Sequence, residues 1–114
     1  MEVIKFNEAM CGKNSDVCKT LEYSFDNKCM DLGIATINGR FPDSGYAYNM
    51  EVAELVYVLE GNGKLYFKDK VIEFSKGDAI LIEVKDKYYY ETDYAVLALL
   101  CTPAWSPSQH KIEE

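Results

Sequence analysis

Apolar residues along this chain fall in short runs separated by turn-forming residues, without the spacing of an amphipathic helix. One central run extends over residues 54–59 and contains β-branched, aromatic and leucine residues behind a single acid. Shorter runs follow at 64–67, 71–74 and 79–82, with glycine, asparagine and aspartate between them. Many short strands in this arrangement are typical of a sandwich or a barrel, so the pattern predicts an all-β fold.

The turn residues set the boundaries of the predicted strands. Residues 60–63, with the sequence EGNG, predict a hairpin turn between the strand 54–59 and a return strand 64–67. Alternating or continuous apolar residues predict further strands at 21–25, 29–37, 88–90 and 94–101. Residues 1–10 predict an irregular arm or a short strand, and the polar, proline-containing tail after Trp105 is expected to wrap the surface or fray.

Size and charge narrow the class of protein. A chain of 114 residues with 48% hydrophobic content suits one compact domain over residues 1–114. The formal net charge of −7 repels nucleic acid and anionic membranes, so neither is expected as a partner. We expect a cytoplasmic protein, because no apolar run approaches the roughly 20 residues of a membrane span and MEVIKFNEAM lacks the basic start of a signal peptide. The four cysteines show no C-x2-C spacing and are expected to be reduced.

Glu54 is the residue that most needs an explanation, because it stands at the head of the apolar run 54–59. A carboxylate directed into a core costs several kcal/mol unless it is hydrogen-bonded, paired, neutralised or bound to a metal. The function of the chain therefore depends on which of these conditions applies to Glu54.

The glycines and acids around Glu54 have the spacing of a known family. Gly45 precedes Glu54, Gly61 follows it by seven positions, and Gly77-Asp78 opens a second segment with the apolar strand AILI. In this spacing the chain resembles the cupins over about residues 32–105, and the ending CTPAWSPSQH is similar to the tail of small single-domain cupins. The resemblance implies a cupin-type double-stranded β-helix, which is a jelly-roll barrel, and a homodimer as the assembly.

The departures from the cupin motifs concern the metal ligands. The two histidine positions of the first motif fall at Tyr48 and Met50, and that of the second motif falls at Tyr88, so only Glu54 is kept. Phenols with a pKa near 10 are poor ligands at neutral pH. The single histidine, His110, lies beyond the predicted barrel strands and is not assumed to substitute. We therefore expect neither a metal nor another cofactor.

Alternate residues of each barrel strand face inwards, so the altered positions predict the wall of a cavity. The expected ligand-binding residues are Tyr48, Met50, Glu54, Val56, Tyr88 and Tyr90. In one interpretation they form a small-molecule pocket in which Glu54 and the phenols fix orientation. In the other, the phenols hydrogen-bond to Glu54 and plug the former metal site.

Three hypotheses for function follow. The favoured one is a metal-independent cupin-like protein that binds a small metabolite, for example a carbohydrate or a sugar acid, inside the barrel. The second is an enzyme of the isomerase, epimerase or lyase type, in which Glu54 is the catalytic general acid or base with a tyrosine partner. The third is a structural dimeric module with a filled barrel.

Overall fold

The computed structural model describes residues 1–114, and its regular structure consists almost entirely of β-strands. The strands are β1 (Met10–Ser15), β2 (Cys18–Tyr23), β3 (Asp31–Phe41), β4 (Tyr46–Asn49), β5 (Ala53–Phe67), β6 (Val71–Ser75), β7 (Ala79–Ile82), β8 (Tyr88–Thr102) and β9 (His110–Glu113). Two single-turn 3-10 helices, Phe6–Glu8 and Pro107–Gln109, complete the chain. Neither helix has the length or the apolar character that crossing a membrane requires. The all-β expectation is confirmed.

All strand pairs are antiparallel, and β8 is the centre of the sheet. It pairs with β3 on one side and with β5 on the other, and its first residues also meet β4. Outwards from β3 lie β2 and then β1, while β6 and β7 pair with the two halves of β5. The two 15-residue strands β5 and β8 are long enough to take part in both halves of the curled sheet.

The strand alternation places the core on the inner face of this curled sheet. Along β5, Glu54, Val56 and Val58 are buried, whereas Leu55 and Tyr57 between them are exposed. The same alternation on the other strands yields one core cluster of buried apolar residues: Cys18, Ala35, Ile37, Phe41, Ala47, Val56, Val58, Leu65, Phe74, Ile82, Tyr88, Tyr90, Ala95 and Leu97.

The predicted turn at residues 60–63 is wrong, because β5 runs without interruption through these residues. Its register against β8 shifts between Val58 and Glu60 and again between Asn62 and Lys64, so this part of the strand carries two bulges. Gly61 has a φ of 80°, and a Cβ there would collide with the carbonyl of Tyr94. Glycine in this sequence thus permits a bulge and a close backbone approach. The reversal occurs afterwards, where the N–H of Phe67 donates to the carbonyl of Lys70 at 2.8 Å.

The C-terminal tail does not fray, which excludes one of the two expectations for it. Residues His110–Glu113 form β9, which pairs with β4 from Asn49 opposite His110 to Tyr46 opposite Glu113. The preceding loop is held by a hydrogen bond of 3.0 Å from the backbone N–H of Trp105 to the carboxylate of Asp31. The tail therefore belongs to the sheet, and it brings new side chains to one end of the barrel.

Candidate functional site

A cavity of about 80 Å³ lies between the inner faces of β2, β3, β5 and β8. Its wall is largely apolar, with Ala35, Ile37, Leu97 and Leu99 among the lining residues. Beside it, a wider depression of about 420 Å³ shares four residues with the cavity: Asn14, Phe41, Trp105 and His110. The barrel therefore contains a small inner cavity that adjoins a wider, open depression, which argues against a filled barrel.

The polar part of the cavity begins with a row of three inward-facing residues on neighbouring strands. Cys101 on β8 pairs in register with Glu54 on β5 and with Asp31 on β3. Glu54 and Cys101 are buried, and Asp31 is partly buried. Two carboxyl groups therefore approach the same end of the cavity from opposite sides of β8.

Glu54 is held by the side chain of Asn49, whose Nδ2 donates to Glu54 Oε1 at 2.6 Å. Asn49 Oδ1 in turn accepts from Gln109 Nε2 at 2.8 Å and lies 3.0 Å from Nδ1 of His110. Asn49 and Gln109 are almost completely buried, at 1% and 3% exposure. Buried side-chain amides bonded on both sides are rigid, so this network fixes Glu54 in position.

The direction of every hydrogen bond in this network is set by the backbone. Gln109 Oε1 accepts from the backbone N–H groups of Glu51 and Val52, at 3.1 and 3.3 Å. The oxygen of Gln109 is therefore identified, its Nε2 must donate, and Asn49 Oδ1 must accept. His110 can contact that oxygen only as a donor from Nδ1, which leaves Nε2 with a free lone pair.

Burial sets the charge states at this end of the cavity. Desolvation raises the pKa of Glu54, and the nearby carboxylate of Asp31 raises it further, against the opposing effect of the bond from Asn49. Desolvation also raises the pKa of Asp31 and lowers that of His110. Asn49 therefore links two groups through its amide. One is the carboxyl of Glu54, which protonates more readily than usual, and the other is the neutral imidazole of His110.

Two tyrosines of β8 complete the inner wall. Tyr88 and Tyr90 line the cavity, are buried, and pack edge to face with ring centroids 5.6 Å apart. The hydroxyl of Tyr90 is buried without any hydrogen-bond partner. Neither phenol bonds to Glu54, which bonds to Asn49 instead. The interpretation in which the phenols plug the site by bonding to Glu54 is therefore wrong.

The structure brings together Glu54, Tyr88 and Tyr90 of the predicted site, and separates the other three residues from it. Tyr48 is half-buried on the outer side of β4, with its ring 5.4 Å from the ammonium of Lys87, and Met50 is 38% exposed. Val56 faces inwards but is packed in the core outside the cavity lining. The expectation that Tyr48 and Met50 face the cavity is wrong, because β4 ends at Asn49 and the alternation does not continue through residues 50–52 to Glu54.

Sequence reasoning missed the polar residues that hold Glu54 or lie beside it at this end of the cavity: Asp31, Asn49, Gln109 and His110. Asn49 could have been found from the sequence, because alternate residues of a strand face the same side and Asn49 is two positions after the small apolar residue Ala47, which is buried. Gln109 and His110 could not, because their place depends on the pairing of β9 with β4.

The residues around Glu54 do not fit the divalent metal of the cupin motifs. An amide N–H points at Glu54 Oε1, and an N–H group donates a hydrogen bond and cannot ligate a cation. No three side chains of histidine, cysteine, aspartate or glutamate are arranged to hold a metal ion. The site offers instead one buried carboxyl, a neutral imidazole and the hydroxyl of Tyr90, which has no hydrogen-bond partner.

The fold is that of the cupins, as the comparison with solved structures shows, and the expected jelly-roll barrel is confirmed. The sequence profile of the AraC-like ligand-binding domain matches residues 31–104, which is more than half of the chain. The chain belongs to this family of ligand-binding domains.

Three solved structures illustrate the similarity in fold. Pac13 of Streptomyces, described as a nucleoside dehydratase and also solved as a variant with uridine, shares 13% identity at a TM-score of 0.86, over 100% of this chain and 92% of Pac13. Ectoine synthase from P. lautus shares 14% identity at a TM-score of 0.76, over 100% and 91% of the two chains. The polyketide cyclase RemF from Streptomyces resistomycificus shares 16% identity at a TM-score of 0.71, over 90% and 79%. No curated protein sequence matches this chain.

Proposed function

We propose that this chain binds a small organic metabolite in the barrel cavity without a metal, and that Glu54 orients the ligand. The observation that carries the proposal is a mostly apolar cavity in which a buried, positioned carboxyl has only one of its two oxygens bonded within the protein. Binding sites for small molecules combine an apolar wall with a few such fixed polar groups. Membership of a ligand-binding family supports the same reading.

The volumes of the cavity and of the adjoining depression limit the size of the ligand. The inner cavity of about 80 Å³ has room for a group of a few non-hydrogen atoms. The outer depression of about 420 Å³ has room for the rest of a metabolite. Trp105 and His110 border both spaces, with ring centroids 5.7 Å apart. A carbohydrate suits this arrangement through its hydroxyls, whereas a sugar acid would bring a second negative charge to Glu54.

A thermal-shift screen with neutral sugars, sugar acids, amines and small carboxylates tests the proposal, because a ligand of the folded state raises the melting temperature. The matched variants are Ala35→Leu, which fills the cavity, and Ala98→Leu, on the outer face of β8. Ala35→Leu should abolish the shift and Ala98→Leu should keep it; Ala35→Val is a milder filling variant if Ala35→Leu does not fold. A ligand whose shift survives both filling variants would place binding outside the barrel.

An enzyme is the second candidate, and the pKa directions at the site favour it. Burial raises the pKa of Glu54 and lowers that of His110, which favours a protonated carboxyl as the acid and a neutral imidazole as the base. Isomerase, epimerase or lyase chemistry would use Glu54 as the general acid or base, with His110 rather than a tyrosine as its partner. Glu54→Gln should then abolish turnover of a bound substrate, whereas a purely orienting carboxyl would change only its affinity.

A homodimer formed through the outer face of the sheet is part of the proposal. Leu55, Tyr57 and Leu81 on this face are 45%, 48% and 57% exposed, and Leu55 pairs in register with Leu81. A contiguous exposed apolar surface of this kind is typical of an interface. Leu55→Glu should convert the dimer to a monomer in light scattering at micromolar concentration, and Val71→Glu on β6 is the exposed control. A wild-type monomer at that concentration would contradict the dimer.

We also propose a cytoplasmic location. All four cysteines are free, two of them exposed and two buried, which supports a reducing compartment.

A further inference from the structure

We infer that the ligand of this cavity is a small organic cation, an amine or guanidinium whose charged head lies between Glu54 and Asp31. This inference rests on the proposed ligand-binding function and specifies its substrate class. The first observation concerns charge: Glu22, Asp31 and Glu54 line the cavity, and no lysine or arginine does. Such a lining attracts a cation and repels an anion.

Asp31 and Glu54 are placed to share one cation. Both pair in register with Cys101, so their Cα atoms are separated by two strand spacings, roughly 10 Å, on the same inner face. Asp31 already accepts the backbone N–H of Trp105 with Oδ2, and Glu54 accepts Asn49 with Oε1. The thiol of Cys101 is a further hydrogen-bond partner of Asp31, whereas Glu54 keeps its second oxygen for a ligand. A cation between the two carboxyls would offset their mutual repulsion.

A second and independent observation is the hydroxyl of Tyr90. Tyr90 lines the cavity and is only 4% exposed, yet its hydroxyl has no partner in the protein. Buried polar groups are normally satisfied, so this hydroxyl is a candidate partner for a bound ligand. Its oxygen, the free oxygen of Glu54 and Nε2 of His110 can all accept. A ligand with several N–H donors matches these acceptors in chemistry.

The remaining lining is suited to an organic cation. Four aromatic residues surround the cavity: Phe41, Tyr88, Tyr90 and Trp105. Aromatic faces attract ammonium and guanidinium groups. The one arginine of the chain, Arg40, does not neutralise the site, because its guanidinium donates to the carbonyls of Pro42 and Gly45 at 2.6 and 3.0 Å.

Matched ligands of one shape test the inference by isothermal titration calorimetry. The probes are butylamine, 1-butanol and butyrate, with the propyl, pentyl and hexyl series to vary length. Amines should bind more tightly than the alcohols of equal length, and the carboxylates should not bind. Glu54→Gln should weaken amine binding about tenfold or more, as expected for loss of a charge-assisted hydrogen bond, and should leave alcohol binding nearly unchanged. Glu73→Gln, an exposed residue on β6, is the control that should change neither.

Four outcomes would overturn the inference. The inference fails if carboxylates bind as tightly as amines. It also fails if Glu54→Gln leaves the affinity for amines unchanged. A broad screen that finds only neutral or anionic ligands, with their binding removed by Ala35→Leu, would overturn the cation class and leave the proposed function standing. If no compound of any class binds, the proposed function fails as well.

Discussion

Asn49 is the residue on which the internal geometry of the site most depends, and Asn49→Ala tests this directly. The truncation removes the donor to Glu54 at 2.6 Å, the acceptor for Gln109 at 2.8 Å and the acceptor for His110 at 3.0 Å. Gln109 keeps a bond of 3.3 Å to the carbonyl of Ser106. Glu54, by contrast, loses the only hydrogen bond that its side chain makes, in a position that is 6% exposed.

The expected loss of stability follows from these contacts. A buried polar group left without its partner costs about 1–3 kcal/mol, and the space left by the side chain adds to this cost. The free energy of unfolding should therefore fall by about 2–5 kcal/mol in urea titrations followed by circular dichroism. The melting temperature should fall by at least about 8 °C in a chain of this size. Asn7→Ala, at an exposed asparagine, should change the unfolding free energy by no more than about 0.5 kcal/mol.

A second variant separates polarity from volume. Asn49→Asp keeps the shape of the side chain but replaces the N–H donor that faces Glu54 with an oxygen. The two carboxyls would then have to share a proton, so this variant should be destabilised at neutral pH and recover as the pH falls. If Asn49→Ala costs less than about 1 kcal/mol, or if Asn49→Asp is destabilised equally at all pH values, the network does not hold Glu54 as argued.

Two further predictions concern the pH dependence and the bulge. Burial raises the folded-state pKa of Glu54 above its unfolded value, so the stability that its protonated form contributes is present at low pH and lost as the pH rises through the folded pKa. Glu54→Gln should thus match the wild type near pH 4 and exceed it increasingly in urea titrations at higher pH; a difference independent of pH would contradict the raised pKa. Gly61→Ala should cost about 2–4 kcal/mol because it combines a φ of 80° with a collision at the Tyr94 carbonyl. Gly77→Ala, with a φ of 93° and open space, should cost only about 1–2 kcal/mol, and equal losses would refute the role of the collision.

The alternation of apolar and polar residues predicted the strands well where local pattern decides the structure. The expected runs at 71–74 and 79–82 correspond to β6 (Val71–Ser75) and β7 (Ala79–Ile82). Around Gly61 the pattern misled, because a glycine with positive φ serves a turn and a bulge equally well. The pairing with β8 determines that a bulge forms here, and around Gly61 this pairing joins residues more than thirty positions apart.

The site was predictable only in part, for a related reason. Glu54 and the tyrosines of β8 follow from alternation within one strand, and the structure places them together around the cavity. Tyr48 and Met50 were assigned to the wall by carrying the alternation across the end of β4, where it fails. His110 lies at the site because it begins the four-residue strand HKIE, which pairs with β4. No local sequence pattern predicts this pairing.

The environment of Glu54 explains why a cationic ligand is a consistent reading of the whole site. A metal, in the cupins that this chain resembles, supplies full positive charge to the carboxylate at this position. Here Asn49 supplies only the partial charge of an amide N–H, which lowers the pKa of Glu54 less than desolvation and Asp31 raise it. The carboxyl is thus fixed in place but left without compensation for its charge. A ligand with a positive charge compensates the charge of Glu54. With a neutral ligand only protonation can remove that charge, and an anionic ligand adds repulsion.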